Sequence, residues 1–204
     1  MTDNPKPEDN DSVVLIGDGE PRNAADQLRR LNEIAATTGF EDDNFSLGGT
    51  VGRLERAMAE QLGKERAIFM PTGTLANHLA IRTHCATGGA TGGRAAVQEQ
   101  SHLFNDTGDS LQRLSGINLV PLATGRVHFT AVELQDAHET SITGRVMNPI
   151  SAVMVETPVR RRSGQVVPWD EVVAISEICR KLAIPSHLDG ARLNWPRQSN
   201  GAIA

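Results

Sequence analysis

The sequence contains no tyrosine, and aromatic residues make up only 3% of it. Packing must therefore rest on aliphatic side chains, which remain sufficient because apolar residues reach 39%. A chain of 204 residues suits one domain or a large part of one, and at this size about 70% of the unfolded surface can be buried. No apolar run approaches the length of a membrane span, which excludes a spanning helix. The opening "MTDNPKPEDND" is acidic and polar, so no secretory signal is expected and the expected location is cytoplasmic. Cysteine is scarce: Cys85 and Cys179 sit in helix-like segments without metal-ligand spacing. That predicts reduced, buried thiols. Excess positive charge is also missing, since the formal net charge is −5. Nucleic acid is therefore not an expected partner, because phosphates demand clustered cations. The run Arg160-Arg161-Arg162 stands alone without aromatic neighbours and reads as a solvated loop or a subunit contact.

What is present is an alternation. Residues 1–11 read as a disordered tail, and 12–204 as one partial domain. Ala24, Leu28, Leu31 and Ala35 have helical spacing. Thr50 is placed to cap a second helix running to Leu62. Strands are then predicted at 66–70, 94–98, 117–122, 150–156 and 184–189. Helices are predicted between them at 74–85, 106–114, 130–138 and 167–182. Short apolar strands separated by helices predict an α/β fold with a mostly parallel sheet.

Such sheets bind ligands at the carboxyl ends of their strands, and three stretches fall there. In "PTGT" (71–74), Gly73 lets the backbone approach an anion, and the helix-start amides with the Thr74 hydroxyl could hold a phosphate. The equal alternative is a plain cap with Thr74 as N-cap. Two other glycine-rich stretches, "GGATGGRA" (88–95) and "GDGEP" (17–21), lack the residues or spacing of a phosphate loop. In "EQSHLFND" (99–106), His102 is the candidate, against the commoner structural role of a lone histidine. In "HLDGAR" (187–192), Asp189 ends a strand and Arg192 follows. That aspartate could be an N-cap, a metal ligand or the partner of a cationic ring. Only His187 stands near it as a further ligand, on the same face of the strand, so no metal is expected.

Together, "SLGGTVGRLE", "LGKERAIFMPTGTLANHLA", "QSHLFNDTGD", "VETPVRRRSGQVVP" and "HLDGAR" resemble the threonine aldolase and β-eliminating lyase family, in the family's order, over roughly residues 44–192. These are fold-type-I enzymes that use pyridoxal 5′-phosphate (PLP). The resemblance implies a PLP-transferase-like large domain and a small amino acid substrate. It also implies a homo-oligomer, by analogy alone. Gly73 and Thr74 then match the phosphate-binding turn, and His102 the histidine stacked on the cofactor ring, with a direct basic role as the alternative. Asp189 matches the carboxylate facing the pyridine nitrogen, and Arg192 the arginine that binds the substrate carboxylate. The implied reaction is retro-aldol cleavage of a β-hydroxy-α-amino acid, threonine giving glycine and acetaldehyde.

The sequence departs from the family in what should follow "DGAR". The lysine that forms a Schiff base with PLP belongs there, but Lys6, Lys64 and Lys181 all precede Asp189. By the same resemblance, the family's C-terminal strands and small domain are expected to be missing from these 204 residues. Near the start, Gly17-Asp18 stands where the family often has Ser-Asp. The expectation is an incomplete, inactive fragment of a threonine aldolase-like lyase. The alternatives are a β-eliminating lyase of the same fold, and a non-catalytic remnant or binding partner of a full-length homologue. In the family's fold the strand at 66–70 pairs with one beyond the lysine. Residues 94–98, 118–122, 150–156 and 186–189 should then form a group, leaving 66–70 unpaired.

Overall fold

A computed structural model describes residues 23–41, 48–86 and 93–193. The predicted tail at 1–11 and the glycine-rich stretches at 17–21 and 88–92 lie outside them. The described residues fall into two units that meet between Phe69 and Met70.

The first unit holds two helices. Helix α1 (Ala24–Thr37) starts where the Asn23 side chain accepts from the Asp26 amide at 2.9 Å. Helix α2 (Gly49–Gln61) begins after Gly48, not at Thr50. The Thr50 hydroxyl is already inside the helix and accepts from the Glu41 amide at 3.0 Å. Residues 66–70 form no strand. The Phe69 amide donates to the Glu55 carboxylate at 2.8 Å, and the side chains of Ile68 and Phe69 stand 72% and 53% exposed. β propensity alone makes no ladder, because a strand needs a partner.

The second unit is a four-stranded parallel sheet in the order β2-β1-β3-β4. The strands are β1 (Gly93–Gln98), β2 (Ile117–Leu122), β3 (Ile150–Glu156) and β4 (Ser186–Asp189). These are the four segments expected to form a group. The connecting helices are α3 (Gly73–Ala86), the short α4 (His102–Asn105) and α5 (Ser110–Ser115), α6 (Ala131–Thr143) and α7 (Trp169–Lys181). The helix predicted at 106–114 forms only from Ser110 onward, as α5, and the short α4 precedes it. Gly108 and Asp109, both in the left-handed region, separate them.

Alternation along the central strands feeds two cores. Ala96, Val153 and Val155 pack with Phe129, with Leu134 of α6 and with Ile175 and Cys179 of α7. Ala95, Val97, Ala152 and Met154 pack with Ile81 and Cys85 of α3, and with Leu103 and Leu111. Helices on both faces explain why the strands read as continuous apolar runs. Burial pushes the Cys179 thiol up to about 11, and the Cys85 thiol also rises, so neither is an activated thiolate. Gln98, at the end of β1, uses its side-chain amide like a peptide group. It accepts from the Glu156 amide at 2.7 Å and donates to the Glu156 carbonyl at 2.8 Å. Among the described residues no helix is long and apolar enough to cross a membrane.

Helix α6 opens with a capping box: the Thr130 hydroxyl accepts from the Glu133 amide, and the Glu133 carboxylate accepts from the Thr130 amide. Thr130→Ala should cost about 1 kcal/mol. Phe129→Ala, one residue away in a fully buried position, should cost about 3–5 kcal/mol. Urea unfolding of the two variants checks the contrast; equal losses would contradict the packing described.

Candidate active site

After β1 the chain runs first to β2 on one side and later to β3 on the other. The crevice at such a reversal, outside the carboxyl ends of the strands, is where open α/β sheets bind ligands. Gln98, Glu156 and Asp189 are the last residues of β1, β3 and β4. Every sequence-predicted site residue lies at this end.

Thr72, rather than Thr74, caps helix α3. Its hydroxyl accepts from the Leu75 amide and its carbonyl from the Ala76 amide, both at 3.1 Å. The cap therefore leaves the Thr74 hydroxyl for another partner, and it lies 3.1 Å from Nε2 of His102. A Cβ added to Gly73 would meet nothing within 4 Å, so the helix start has an open surface.

His102 begins α4, where the Ser101 hydroxyl accepts from the Phe104 amide at 3.3 Å. Its Nδ1 lies 3.4 Å from Asp106, so both ring nitrogens have neighbours. Asp106 also receives Arg160 at 3.2 Å and Arg161 at 3.0 Å. The arginine run is thus tied to the histidine loop, though its side chains remain partly exposed.

Glu156 was not singled out from the sequence, and it joins the rest. It is 1% exposed. Its carboxylate accepts from the His102 amide at 2.5 Å and the Arg160 amide at 2.9 Å. Nη1 of Arg192 lies 4.0 Å away, itself almost buried. In the β3–β4 register Glu156 stands beside Asp189. Burial pushes the Glu156 carboxyl above its ordinary 4.5, and the charge of Asp189 adds to this; the two amides and Arg192 oppose it.

Asp189 is buried. It accepts from the Asn77 side chain at 2.7 Å and from the Ala191 amide at 3.1 Å. Asn77 was also missed. Its signal was a polar residue at helical spacing with the buried Ile81 and Cys85. Among the described residues no group of three or more His, Cys, Asp or Glu could hold a metal ion. The structure thus brings Thr74 and His102 into contact, joins His102 to Arg192 through Glu156, and sets Asp189 alongside.

Removing the Glu156 carboxylate would leave two main-chain donors without their acceptor and take away the charge facing Arg192. Glu156→Ala should cost about 3–5 kcal/mol. Glu156→Gln should also destabilise, because its NH₂ would face one of those main-chain donors. A carboxyl whose folded pKa is raised contributes stability that is fully present below its unfolded value. That contribution is lost as pH rises through the folded value. The advantage of the native protein over Glu156→Gln should therefore shrink as pH climbs from below 4.5 toward neutrality. Denaturant unfolding across that range checks it; a growing advantage would refute the raised value.

A family profile described as beta-eliminating lyase matches residues 24–195. Aldolase vrtJ of Penicillium aethiopicum is 34% identical over 174 residues, covering 84% of this chain and 42% of the relative. Alanine racemase TOXG of Cochliobolus carbonum is 30% identical over 166 residues, covering 81% and 41% respectively. A solved Listeria monocytogenes chain, assigned as an L-allo-threonine aldolase, aligns with a TM-score of 0.72 at 31% identity. That alignment covers 86% of this chain and 45% of the bacterial one. The chain thus spans less than half the length of each of these three relatives, and its parallel sheet with flanking helices matches the solved fold. With the family profile covering most of its length, the chain belongs to the beta-eliminating lyase family, the fold-type-I group its motifs resemble.

Proposed function

We propose that these residues form the cofactor-facing part of a PLP-dependent lyase that cleaves the Cα–Cβ bond of a β-hydroxy-α-amino acid, with threonine to glycine and acetaldehyde as the reference reaction. The observation that carries this reading is the convergence at one crevice of a buried strand-end carboxylate, a histidine held at both ring nitrogens and an open helix start.

The residues fit the cofactor. Each oxygen of Asp189 accepts one hydrogen bond from the protein, and a carboxylate oxygen has capacity for a second. Asp189 can therefore accept a hydrogen bond from a protonated ring nitrogen, a charge-assisted bond worth about 1.5–3 kcal/mol. Bound PLP supplies an electron-accepting ring that stabilises the charge left at Cα when the bond breaks. The His102 imidazole offers a flat surface for that ring. The helix-start amides at Gly73 and the Thr74 hydroxyl suit a phosphate. Arg192 suits the substrate carboxylate, because a buried guanidinium binds a planar anion in two-pronged fashion with little competition from water. His102 also has Nε2 placed to take a proton once Thr74 turns to the phosphate. Homo-oligomeric assembly and a cytoplasmic location carry over from the family's character alone.

The similarity to an alanine racemase favours one second reading: a PLP enzyme that moves the Cα proton and leaves the Cα–Cβ bond intact. Acetaldehyde release from threonine and loss of optical activity of alanine separate the two; pyruvate from serine would mark β-elimination instead.

All three lysines, Lys6, Lys64 and Lys181, precede Asp189. The 204-residue chain by itself should bind PLP reversibly, with the spectral change lost on dialysis and no adduct fixed by borohydride. Asp189→Ala and Thr74→Ala should each weaken binding about tenfold or more, the loss of a hydrogen bond to a charged group. Acetaldehyde release together with a mapped adduct on Lys64 or Lys181 would overturn the reading for this chain, as would failure to bind PLP at all.

A further inference from the structure

Asp189 does not stand alone at the end of β4. Asn77, a buried residue of α3, spans from it to His187, two residues earlier on the same face of the strand. Nδ2 of Asn77 donates to Asp189 at 2.7 Å, and Oδ1 of Asn77 lies 2.9 Å from Nε2 of His187. The direction of this chain follows from donor and acceptor inventory. A carboxylate only accepts, so the amide NH₂ must face Asp189. The amide oxygen then faces His187, so Nε2 of His187 must carry a proton. We propose that Asn77 and His187 are positioning residues for Asp189: His187, as its Nε2–H tautomer, fixes the Asn77 amide, and the amide fixes the carboxylate at the angle needed to meet a ring nitrogen.

The surroundings agree. Burial pushes His187 below its ordinary 6.5, against the pull of Asp189 on its own strand and with a further push from His84 on α3. On β3 its register partner is Met154, which carries no charge. Glu156 lies beside Asp189 instead. Burial thus favours the neutral ring, which has one N–H to commit, and the Asn77 oxygen stands 2.9 Å from Nε2 to take it. A free aspartate side chain would sample several rotamers at a strand end. Two hydrogen bonds from fixed donors, Asn77 and the Ala191 amide, select one.

The role of Asp189 toward PLP rests on the proposed function, but the orienting chain does not, and the experiment separates them. Histidine ring ¹⁵N spectra of the PLP-free chain read the tautomer of His187. Side-chain couplings of Asp189 read its rotamer. PLP titration by fluorescence reads binding. In the native chain we expect the Nε2–H tautomer at neutral pH and a single Asp189 rotamer. In Asn77→Ala the rotamer should average. In the near-isosteric Asn77→Asp, His187 should titrate higher, because a new carboxylate faces Nε2, and PLP should bind about tenfold more weakly or worse. A native Nδ1–H tautomer, an unchanged rotamer in Asn77→Ala, or native-like PLP affinity in Asn77→Asp would each overturn the proposal. Should the native chain bind no PLP, the functional reading fails, and the tautomer and rotamer decide the positioning role on their own.

Discussion

The carboxylate of Glu156 is the fixed point of the crevice. It sits at the end of β3, buried, with donors arriving from two loops and an arginine from a third segment. A buried charge is tolerable only when its lone pairs are occupied, so the fold around it is obligatory. The loop after β1 must bring the His102 amide, and the turn after β3 must bring that of Arg160. Once those two are placed, Asp106 can gather Arg160 and Arg161, and the His102 ring falls between Asp106 and Thr74. The positions of several side chains thus follow from a single desolvated group.

Much of this architecture was legible in the sequence. Strands covered by helices on both faces are largely apolar, and 150–155 reads that way with Ser151 as its one polar residue. The alternation of such runs with helices therefore specified a parallel sheet. The strand-end positions of His102 and Asp189 followed from it, and the ordered motifs specified the family. Local chemistry was harder to place. Thr72 and Thr74 are equally good caps by type, and only the hydrogen bond to Leu75 separates them. Thr50 and Gly48 pose the same problem at α2.

Glu156 and Asn77 escaped for a different reason. The partners that bring them into the site, His102 for Glu156 and Asp189 for Asn77, lie 54 and 112 positions away, beyond the reach of any periodicity. Glu156 looked like the polar end of a strand, and Asn77 like one residue of a helix. Residues 66–70 show the converse. Their apolar pattern expresses a preference for extension, but a ladder is a property of two segments, and pattern describes only one.

Gln98 has a consequence for how the sheet is assembled. Its side chain extends β1's hydrogen bonding to the main chain of Glu156 at the place where the ladder itself has ended. The pairing is specific in both directions, one donor to one acceptor, and it exists at a single offset between the strands. If β3 slid by one residue, its side chains would change faces, and this amide would also face the wrong main-chain groups inside an apolar core. Gln98 therefore acts as a proofreading contact: it penalises misaligned sheets before any ligand is present to do so.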